Sequence, residues 1–281
     1  MKQVAPHVNL VVTTGEPAGI GPEVSLAAAL NFLREQSNVA ITLLGDDKLL
    51  TLPKNIDPAL ASRLQVASIK LEAPVVSGVL NPQNAQYVIA LLDQAINGCQ
   101  QGRFDAMVTA PLQKSIINDA GTPFTGHTEH LAQRCNISHV VMMLCAPLPT
   151  GFLGLESPRD LRVALVTTHV PLKDVPQALS YDLILETIQI VNRDLQRKFG
   201  IANPVVRMAG LNPHAGESGY LGREEIEIIT PAIEAAKAMG IQVSGPYPGD
   251  TMFDPESVAT VDAFIAMYHD QGLAPFKFVT F

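Results

Sequence analysis

The feature that most constrains the fold of this chain is a regular alternation between short apolar runs rich in β-branched residues and longer segments with helical periodicity. The runs span residues 8–14, 39–45, 63–69, 104–110, 139–145, 161–169, 204–211, 241–246 and 261–269. Nearly continuous apolar strands are typical of a largely parallel sheet that helices cover on both faces. The sequence therefore predicts the α/β class, whose sheets bind ligands beyond the carboxyl ends of their strands.

Start and stop signals mark the helices between these runs. Residues 81–102 begin with Asn81 as a candidate cap and Pro82 in the first turn, and Gly102 ends the segment. Two further segments, 180–200 and 223–240, carry a lysine near their end and finish with a glycine. The Pro- and Gly-rich connection at 146–160 is the longest irregular stretch and lies near a plausible domain boundary.

Composition and charge exclude several classes of protein. The 281 residues are 47% hydrophobic and 16% charged, which fits a packed globular chain, and the formal charge of -8 with scattered Lys and Arg argues against nucleic-acid or anionic-membrane binding. No segment approaches the ~18 apolar residues of a membrane span. The interrupted N-terminal run is not expected to be a signal peptide, and three cysteines without CxxC spacing suggest the reduced cytoplasm.

Three of the seven histidines lie at or just beyond the carboxyl ends of predicted strands: His169, His214 and His269. Three neutral imidazoles with an open fourth position form a catalytic divalent-metal site, and Asp250 or Asp270 could orient an imidazole or join the ligands. The alternative is that backbone carbonyls satisfy each histidine separately. Both interpretations stay open here, because spacing does not show that the three strands are neighbours.

The first strand-to-helix turn, "TTGEPAGIGPEV", contains Gly15, Glu16 and Gly19. Glycines that let backbone N–H groups approach an anion at a helix start are typical of a phosphate-binding turn. The spacing matches neither the dinucleotide fingerprint nor a Walker motif. A tight connection without a ligand is the alternative.

Two further motifs carry candidate substrate-binding groups. "FTGHTEH" offers His127 and Thr128 beside a helix start, where a threonine capping box is an equal alternative. Lys277, eight residues after His269, is either a solvated lysine or a cation that neutralises a phosphate or carboxylate.

Seven motifs in order along nearly the whole chain carry a family resemblance. They are "TTGEPAGIGPE", "TAPLQKSIINDAG", "FTGHTE", "VALVTTHVPLKDV", "GLNPHAGESGYLGREE", "GPYPGDTMF" and "AMYHDQGLAPFK". On these residues the chain resembles the 4-hydroxythreonine-4-phosphate dehydrogenases, a family of the deoxyxylulose-phosphate-dependent route to pyridoxal 5′-phosphate.

The resemblance implies a role for each candidate residue. One divalent ion (Zn, Mg or Co) per subunit would be bound by His169, His214 and His269, with Asp250 beside it as a catalytic acidic residue; substrate would be bound by His127, Thr128 and Lys277, the last also catalytic. Gly15, Glu16 and Gly19 remain the candidate cofactor-binding residues.

The resemblance also implies an isocitrate/isopropylmalate dehydrogenase-like α/β/α fold with two lobes around a cleft. We expect the first lobe at residues 1–130, rejoined by 275–281, and the second, with the histidines, at 131–274. Such proteins work as homodimers whose active sites draw on both subunits, and they bind NAD or NADP without a standard Rossmann fingerprint.

Three departures from the family pattern stand out. The connection at 146–160 is longer than usual, and His130 replaces a residue that is commonly apolar or aromatic. Family members also continue beyond "FKFVTF" with an Asn and an Arg that contact the substrate, so we expect this chain to hold the metal site but only part of the substrate and cofactor sites. In that strand-like run, Phe276, Phe278 and Phe281 have no obvious partners in the sequence.

The reaction expected from the resemblance is metal- and NAD(P)-dependent oxidation of 4-phosphooxy-L-threonine at its secondary alcohol. The resulting β-keto acid would lose carbon dioxide to give 3-amino-2-oxopropyl phosphate. The alternatives are a sister dehydrogenase for a four-carbon sugar-acid 4-phosphate and a non-catalytic phosphometabolite-binding protein. A metal-dependent hydrolase is disfavoured because H-E-x-x-H is absent from the sequence.

Overall fold

The computed structural model describes residues 8–280, which divide between Ser138 and His139 into two compact units with one sheet each. The expected boundary after residue 130 would cut the helix His127–Cys135. That helix belongs with the first unit because His130 Nε2 lies 2.9 Å from Asp93 Oδ1. No helix in the described part of the chain combines the length and apolar character that crossing a bilayer requires.

The first unit is a four-stranded parallel sheet in the order β3-β2-β1-β4. Its strands are β1 (Val8–Thr13), β2 (Val39–Gly45), β3 (Leu64–Ser68) and β4 (Ala106–Thr109). Its helices are α1 (Gly21–Glu35), α2 (Pro58–Ala61), α3 (Ala85–Gln100), α4 (Lys114–Asp119) and α5 (His127–Cys135). Successive strand residues point to opposite faces, so Val12 packs in the core beneath α1 and Val11 in the core beneath α3.

The second unit is a five-stranded sheet in the order β5-β6-β9-β7-β8, in which only the edge pair β5 and β6 is antiparallel. Its strands are β5 (Met142–Leu148), β6 (Arg159–Leu165), β7 (Val205–Ala209), β8 (Gln242–Tyr247) and β9 (Ala263–Ala266). Its helices are α6 (Val175–Ala178), α7 (Tyr181–Phe199), α8 (Thr230–Ala238), α9 (Pro255–Thr260) and α10 (His269–Thr280), and a π-helical turn, Glu225–Ile229, leads into α8. The α/β class with mostly parallel strands is confirmed.

Local signals placed several helix ends correctly. The Asn81 side chain accepts a hydrogen bond from Gln83 N at 3.0 Å in the turn that precedes α3. The helix α7 begins after Ser180, whose Oγ accepts from Leu183 N at 3.2 Å, and ends at Gly200 in the left-handed region. These caps satisfy backbone groups that the ends of a helix leave unpaired.

The stretch after β9 departs from the expectation. The predicted strand at 261–269 is shorter, and the run expected to be a strand continues α10 to Thr280. Short apolar runs cannot be assigned to strand or helix by periodicity alone. The helix packs against β6 and β9 of the second unit, where Phe276 is buried, rather than rejoining the first unit as expected. Phe278 is 87% exposed, and Phe281 lies outside the described residues.

Candidate active site

Four connections at one edge of the second sheet carry the predicted metal-binding and acidic residues. His169 follows β6, His214 follows β7, Asp250 follows β8 and His269 follows β9. These four strands are parallel and adjacent in the order β6-β9-β7-β8, so their carboxyl ends lie along the same edge. The sheet order therefore answers the question that spacing left open.

His169 and His269 lie side by side at this edge. Their ring centroids are 5.5 Å apart with an interplanar angle of 42°. His269 Nδ1 is 2.7 Å from Asp270 Oδ1 and must be the donor, because an ionised carboxylate only accepts. In the neutral ring the Nε2 atom of His269 then keeps its lone pair, which is the arrangement that metal-binding histidines use.

His214 stands in an unusual backbone conformation. Every residue from His214 to Gly219 has a positive φ, from 44° at Glu217 to 96° at Gly219. The left-handed region costs a non-glycine residue roughly 1–2 kcal/mol. Such a conformation persists only where the surroundings determine it, and it is concentrated at functional sites.

A cleft of about 630 Å³ opens beside this turn. His214, Asp250, Asp270 and Gln271 are among its lining residues. Gln271 Oε1 accepts a hydrogen bond from Met267 N at 2.7 Å, and its Nε2 donates to the Gly210 carbonyl, also at 2.7 Å. This side chain ties the connection that carries His269 to the connection that carries His214.

The role of Gln271 was not predicted from the sequence, although the residue stands in the motif "AMYHDQGLAPFK". An amide both donates and accepts, so it can join two backbone segments that each offer one group. A glutamine two residues after a candidate ligand was the available signal.

The arrangement fits a divalent ion at the histidine pair, because two adjacent imidazoles are the donors that Zn²⁺ and similar ions prefer. Within residues 8–280, however, no group of three or more His, Cys, Asp and Glu side chains is arranged to hold a metal ion. His214 is therefore not gathered with His169 and His269 in this structure. His169 and His214 are both exposed, so neither ring is fixed by core packing.

Lys277 lies on α10, eight residues after His269. At 1.5 Å per residue the helix carries it roughly 12 Å along the axis from that histidine. The expected catalytic and phosphate-binding roles of Lys277 thus depend on the reach of its side chain.

Backbone N–H groups in the glycine turn of the first unit donate hydrogen bonds to oxygens of the protein itself. Glu16 N donates to the Pro111 carbonyl at 3.0 Å, Ala18 N to Glu16 Oε1 at 3.0 Å, and Gly19 N to the Glu16 carbonyl at 3.1 Å. Gly15 has a φ of 70°, and a Cβ there would overlap the Pro111 oxygen. These bonds favour the ligand-free connection, and cofactor binding by Gly15, Glu16 and Gly19 stays a prediction.

His127 and Thr128 form the first turn of α5, where the Gly126 cap has no side-chain hydrogen bond, so the capping-box alternative is not what the structure has. His127 Nε2 is buried and has no hydrogen-bond partner within the described residues. Burial lowers the pKa of His127, and the charges of Lys114 and His130 lower it further. Lys114 was not predicted as a site residue. The available signal was its position at the start of α4, because a cation there is unfavourable with the helix dipole.

Comparison with known proteins gives a consistent result. Residues 20–281 match the family described as "Pyridoxal phosphate biosynthetic protein PdxA". The chain is 50% identical over 291 residues to a 4-hydroxythreonine-4-phosphate dehydrogenase of Ralstonia nicotianae, covering 98% of this chain and 84% of that protein.

Solved structures give the same picture. The crystal structure of a 4-hydroxythreonine-4-phosphate dehydrogenase from Klebsiella pneumoniae superimposes with a TM-score of 0.82 at 30% identity, covering 98% of this chain and 85% of the other. A terephthalate 1,2-cis-dihydrodiol dehydrogenase from Burkholderia xenovorans gives a TM-score of 0.68 at 26% identity, covering 97% of this chain and 83% of the other.

Proposed function

Because the chain belongs to the PdxA family of pyridoxal phosphate biosynthetic proteins, we propose that it oxidises 4-hydroxythreonine 4-phosphate as an NAD(P)-dependent dehydrogenase. The observation that supports this chemistry is the gathering of four strand ends at one edge of the second sheet, with the His169 and His269 rings 5.5 Å apart. The substrate is a phosphorylated small molecule. We further propose that the protein acts as a homodimer with its active sites at the subunit interface.

The proposed reaction converts a secondary alcohol to a ketone, releasing one proton and transferring one hydride. When bound, the nicotinamide supplies the hydride acceptor and a divalent ion lowers the pKa of the alcohol. The product is a 2-amino-3-oxo acid phosphate, in which the ketone lies β to the carboxylate. That position lets the ketone accept the electron pair of the breaking C–C bond, so carbon dioxide leaves and an enolate forms. Uptake of one proton at the former α-carbon then gives 3-amino-2-oxopropyl phosphate.

We assign His169, His269 and His214 as the ligands of the ion. The hydrogen bond from His269 Nδ1 to Asp270 leaves Nε2 as the ligand atom of that ring. His214 lines the same cleft as Asp250, which we propose as a catalytic carboxylate. Binding would require the exposed His214 ring to turn towards the other two.

In the first unit we propose that His127 and Thr128 bind the substrate. The free N–H groups of the first turn of α5, together with the nearby charge of Lys114, favour an anion there. On α10 of the second unit, Lys277 is proposed as a phosphate-binding cation with a catalytic role.

The test is formation of reduced nicotinamide with 4-phosphooxy-L-threonine, followed by fluorescence, with either NAD or NADP. Threonate and erythronate 4-phosphates serve as rival substrates. Turnover of the amino acid phosphate well above the sugar-acid phosphates is expected. Preference for a sugar-acid phosphate would assign the sister activity, and no reduced nicotinamide with any substrate would leave a binding protein.

A second candidate reaction comes from the likeness to the terephthalate 1,2-cis-dihydrodiol dehydrogenase at 26% identity. That dihydrodiol carries no phosphate, but its carboxylates could pair with a lysine, so the charges of Lys114 and Lys277 do not exclude it. Including it in the substrate panel separates the two dehydrogenases.

Metal binding is tested separately by Co²⁺ titration of the wild type and of His169→Ala, His214→Ala and His269→Ala. His139→Ala is the matched control, because His139 lies in the same unit but bonds to Thr187 at 2.9 Å instead of lining the strand ends. Each ligand variant should lose affinity while the control keeps it. Unchanged affinity in all three would refute the ligand assignment.

A further inference from the structure

Glu225 is a buried carboxylate beneath the turn that carries His214. It is 3% exposed and begins the π-helical turn Glu225–Ile229. Buried carboxylates are uncommon unless hydrogen bonds or charges compensate for lost hydration. Single π-helical turns inside α-helices occur frequently at functional sites.

The compensation comes from the residues that open the His214 turn. Glu225 Oε1 accepts hydrogen bonds from Leu211 N at 2.8 Å and from Asn212 N at 2.7 Å. Its Oε2 accepts from Asn212 Nδ2 at 3.0 Å. All three donors lie two or three residues before His214, so the carboxylate holds the backbone segment that leads into His214.

The turn also wraps closely around this carboxylate. A Cβ on Gly216 would lie 2.6 Å from Glu225 Oε2, and a Cβ on Gly210 would lie 3.0 Å from Oε1. Glycine at both positions lets the chain pass over the acid without a gap. The left-handed run from His214 to Gly219 is thus built around one side chain.

Neighbouring acids on the same segment differ in this respect. Glu224 Oε2 accepts from the Asn212 side chain at 2.8 Å, and Glu227 pairs with Arg223 on the surface. Neither holds the backbone of the turn. Glu227 therefore provides a matched control on the same helical segment.

We propose that Glu225 is the positioning residue of His214, holding the left-handed turn so that the imidazole faces the cleft beside Asp250. The importance of this orientation for chemistry rests on the proposed function, in which His214 is a metal ligand. Outer partners of metal ligands commonly alter metal affinity by about 10- to 100-fold when they are changed. Glu225 acts through the backbone and touches neither substrate nor ion.

The test compares Glu225→Gln with Glu227→Gln in the whole chain. Glutamine matches the size of glutamate but offers one acceptor oxygen and places an NH₂ group against Asn212. Three readouts are taken: the NMR resonance of the His214 ring, assigned with His214→Gln; amide hydrogen exchange at Leu211 and Asn212; and Co²⁺ affinity. Thermal unfolding of each variant reports general loss of stability.

We expect Glu225→Gln to shift the His214 resonance, to leave those of His169 and His269 in place, and to accelerate exchange at Leu211 and Asn212 by at least tenfold. Co²⁺ affinity should fall by about 10- to 100-fold, whereas Glu227→Gln should match the wild type in all three readouts. An unchanged His214 resonance with unchanged exchange would overturn the proposal. So would normal Co²⁺ affinity in Glu225→Gln beside a wild type that binds Co²⁺, since that is the pattern of a merely structural acid.

Two further results of this experiment, no Co²⁺ binding by the wild type and failure of Glu225→Gln to fold, can also be interpreted. If the wild type does not bind Co²⁺, the metal assignment of the proposed function fails, and the resonance and exchange data still decide whether Glu225 positions His214. If Glu225→Gln does not fold, Glu225→Asp replaces it: this variant keeps the charge but withdraws the carboxylate by one methylene. It should give the same changes at smaller size, and a wild-type resonance and exchange pattern would refute the proposal.

Discussion

Replacing Gly216 by alanine should destabilise the second unit far more than a glycine replacement of equal backbone strain. Gly216 has a φ of 78°, so alanine there costs roughly 1–2 kcal/mol for the left-handed conformation. The new Cβ would also lie 2.6 Å from Glu225 Oε2. Displacing that carboxylate weakens charged hydrogen bonds, at about 1.5–3 kcal/mol, which brings the expected total to about 2.5–5 kcal/mol.

Gly154→Ala is the control, because Gly154 lies in the same unit with a φ of 79° and nothing within 4 Å of its hypothetical Cβ. It should cost only the conformational part, about 1–2 kcal/mol. Urea unfolding is followed by circular dichroism, since the sequence has no tryptophan, and the transition of the second unit is fitted separately because two units need not unfold together. Equal losses in the two variants would show that the carboxylate moves aside freely, which would refute the tight fit of the turn around it.

Three further predictions concern the second unit. Burial lowers the pKa of His139 below its ordinary 6.5, against an opposing effect of a nearby carboxylate. The unfolded state therefore binds more protons, so the contribution of His139 to stability is complete above pH 6.5 and falls as the pH drops below it. His139→Gln should reduce this loss of stability in unfolding midpoints measured between about pH 7 and 5, and an unchanged profile would contradict the assignment. Gly272→Ala would place a Cβ 2.8 Å from Leu165 Cδ2. The overpacking cost of about 1–3 kcal/mol should outweigh the helix-propensity gain of about 1 kcal/mol, so the variant should unfold at a lower urea concentration. A higher urea midpoint would show that α10 can move outward. Gln271→Ala removes the hydrogen bond to Gly210 and should weaken Co²⁺ binding about tenfold, whereas a loss of thermal stability alone would mark the residue as structural.

The elements of the fold could be predicted because their signals are local. Each of the nine apolar runs overlaps a strand, since a buried parallel strand needs a continuous apolar stretch whatever its partners are. The cap at Asn81 and the helix end at Gly200 could likewise be predicted, because the chemistry of a helix end involves neighbours within a few residues. The same local signals gave the wrong prediction for the C-terminal run. "FKFVTF" has the composition of a strand, but its residues up to Thr280 belong to α10, which packs against β6 and β9.

The candidate site divides in the same way. The sequence alone predicts that His169, His214 and His269 follow strands, and its motifs indicate the family. It could not determine that those strands are adjacent, because sheet order depends on contacts between segments up to a hundred residues apart, as between β6 and β9.

Which groups hold the site in place depends on contacts that form when the chain folds. The Asp270 carboxylate selects the tautomer of His269 through a single local contact, but Gln271 and Glu225 act on Gly210, Leu211 and Asn212, which lie elsewhere in the chain. Nothing in the letters of a sequence distinguishes a buried glutamate that fixes a turn from the exposed glutamates beside it. The difference is made by burial and by three hydrogen-bond donors, and both exist only once the chain has folded.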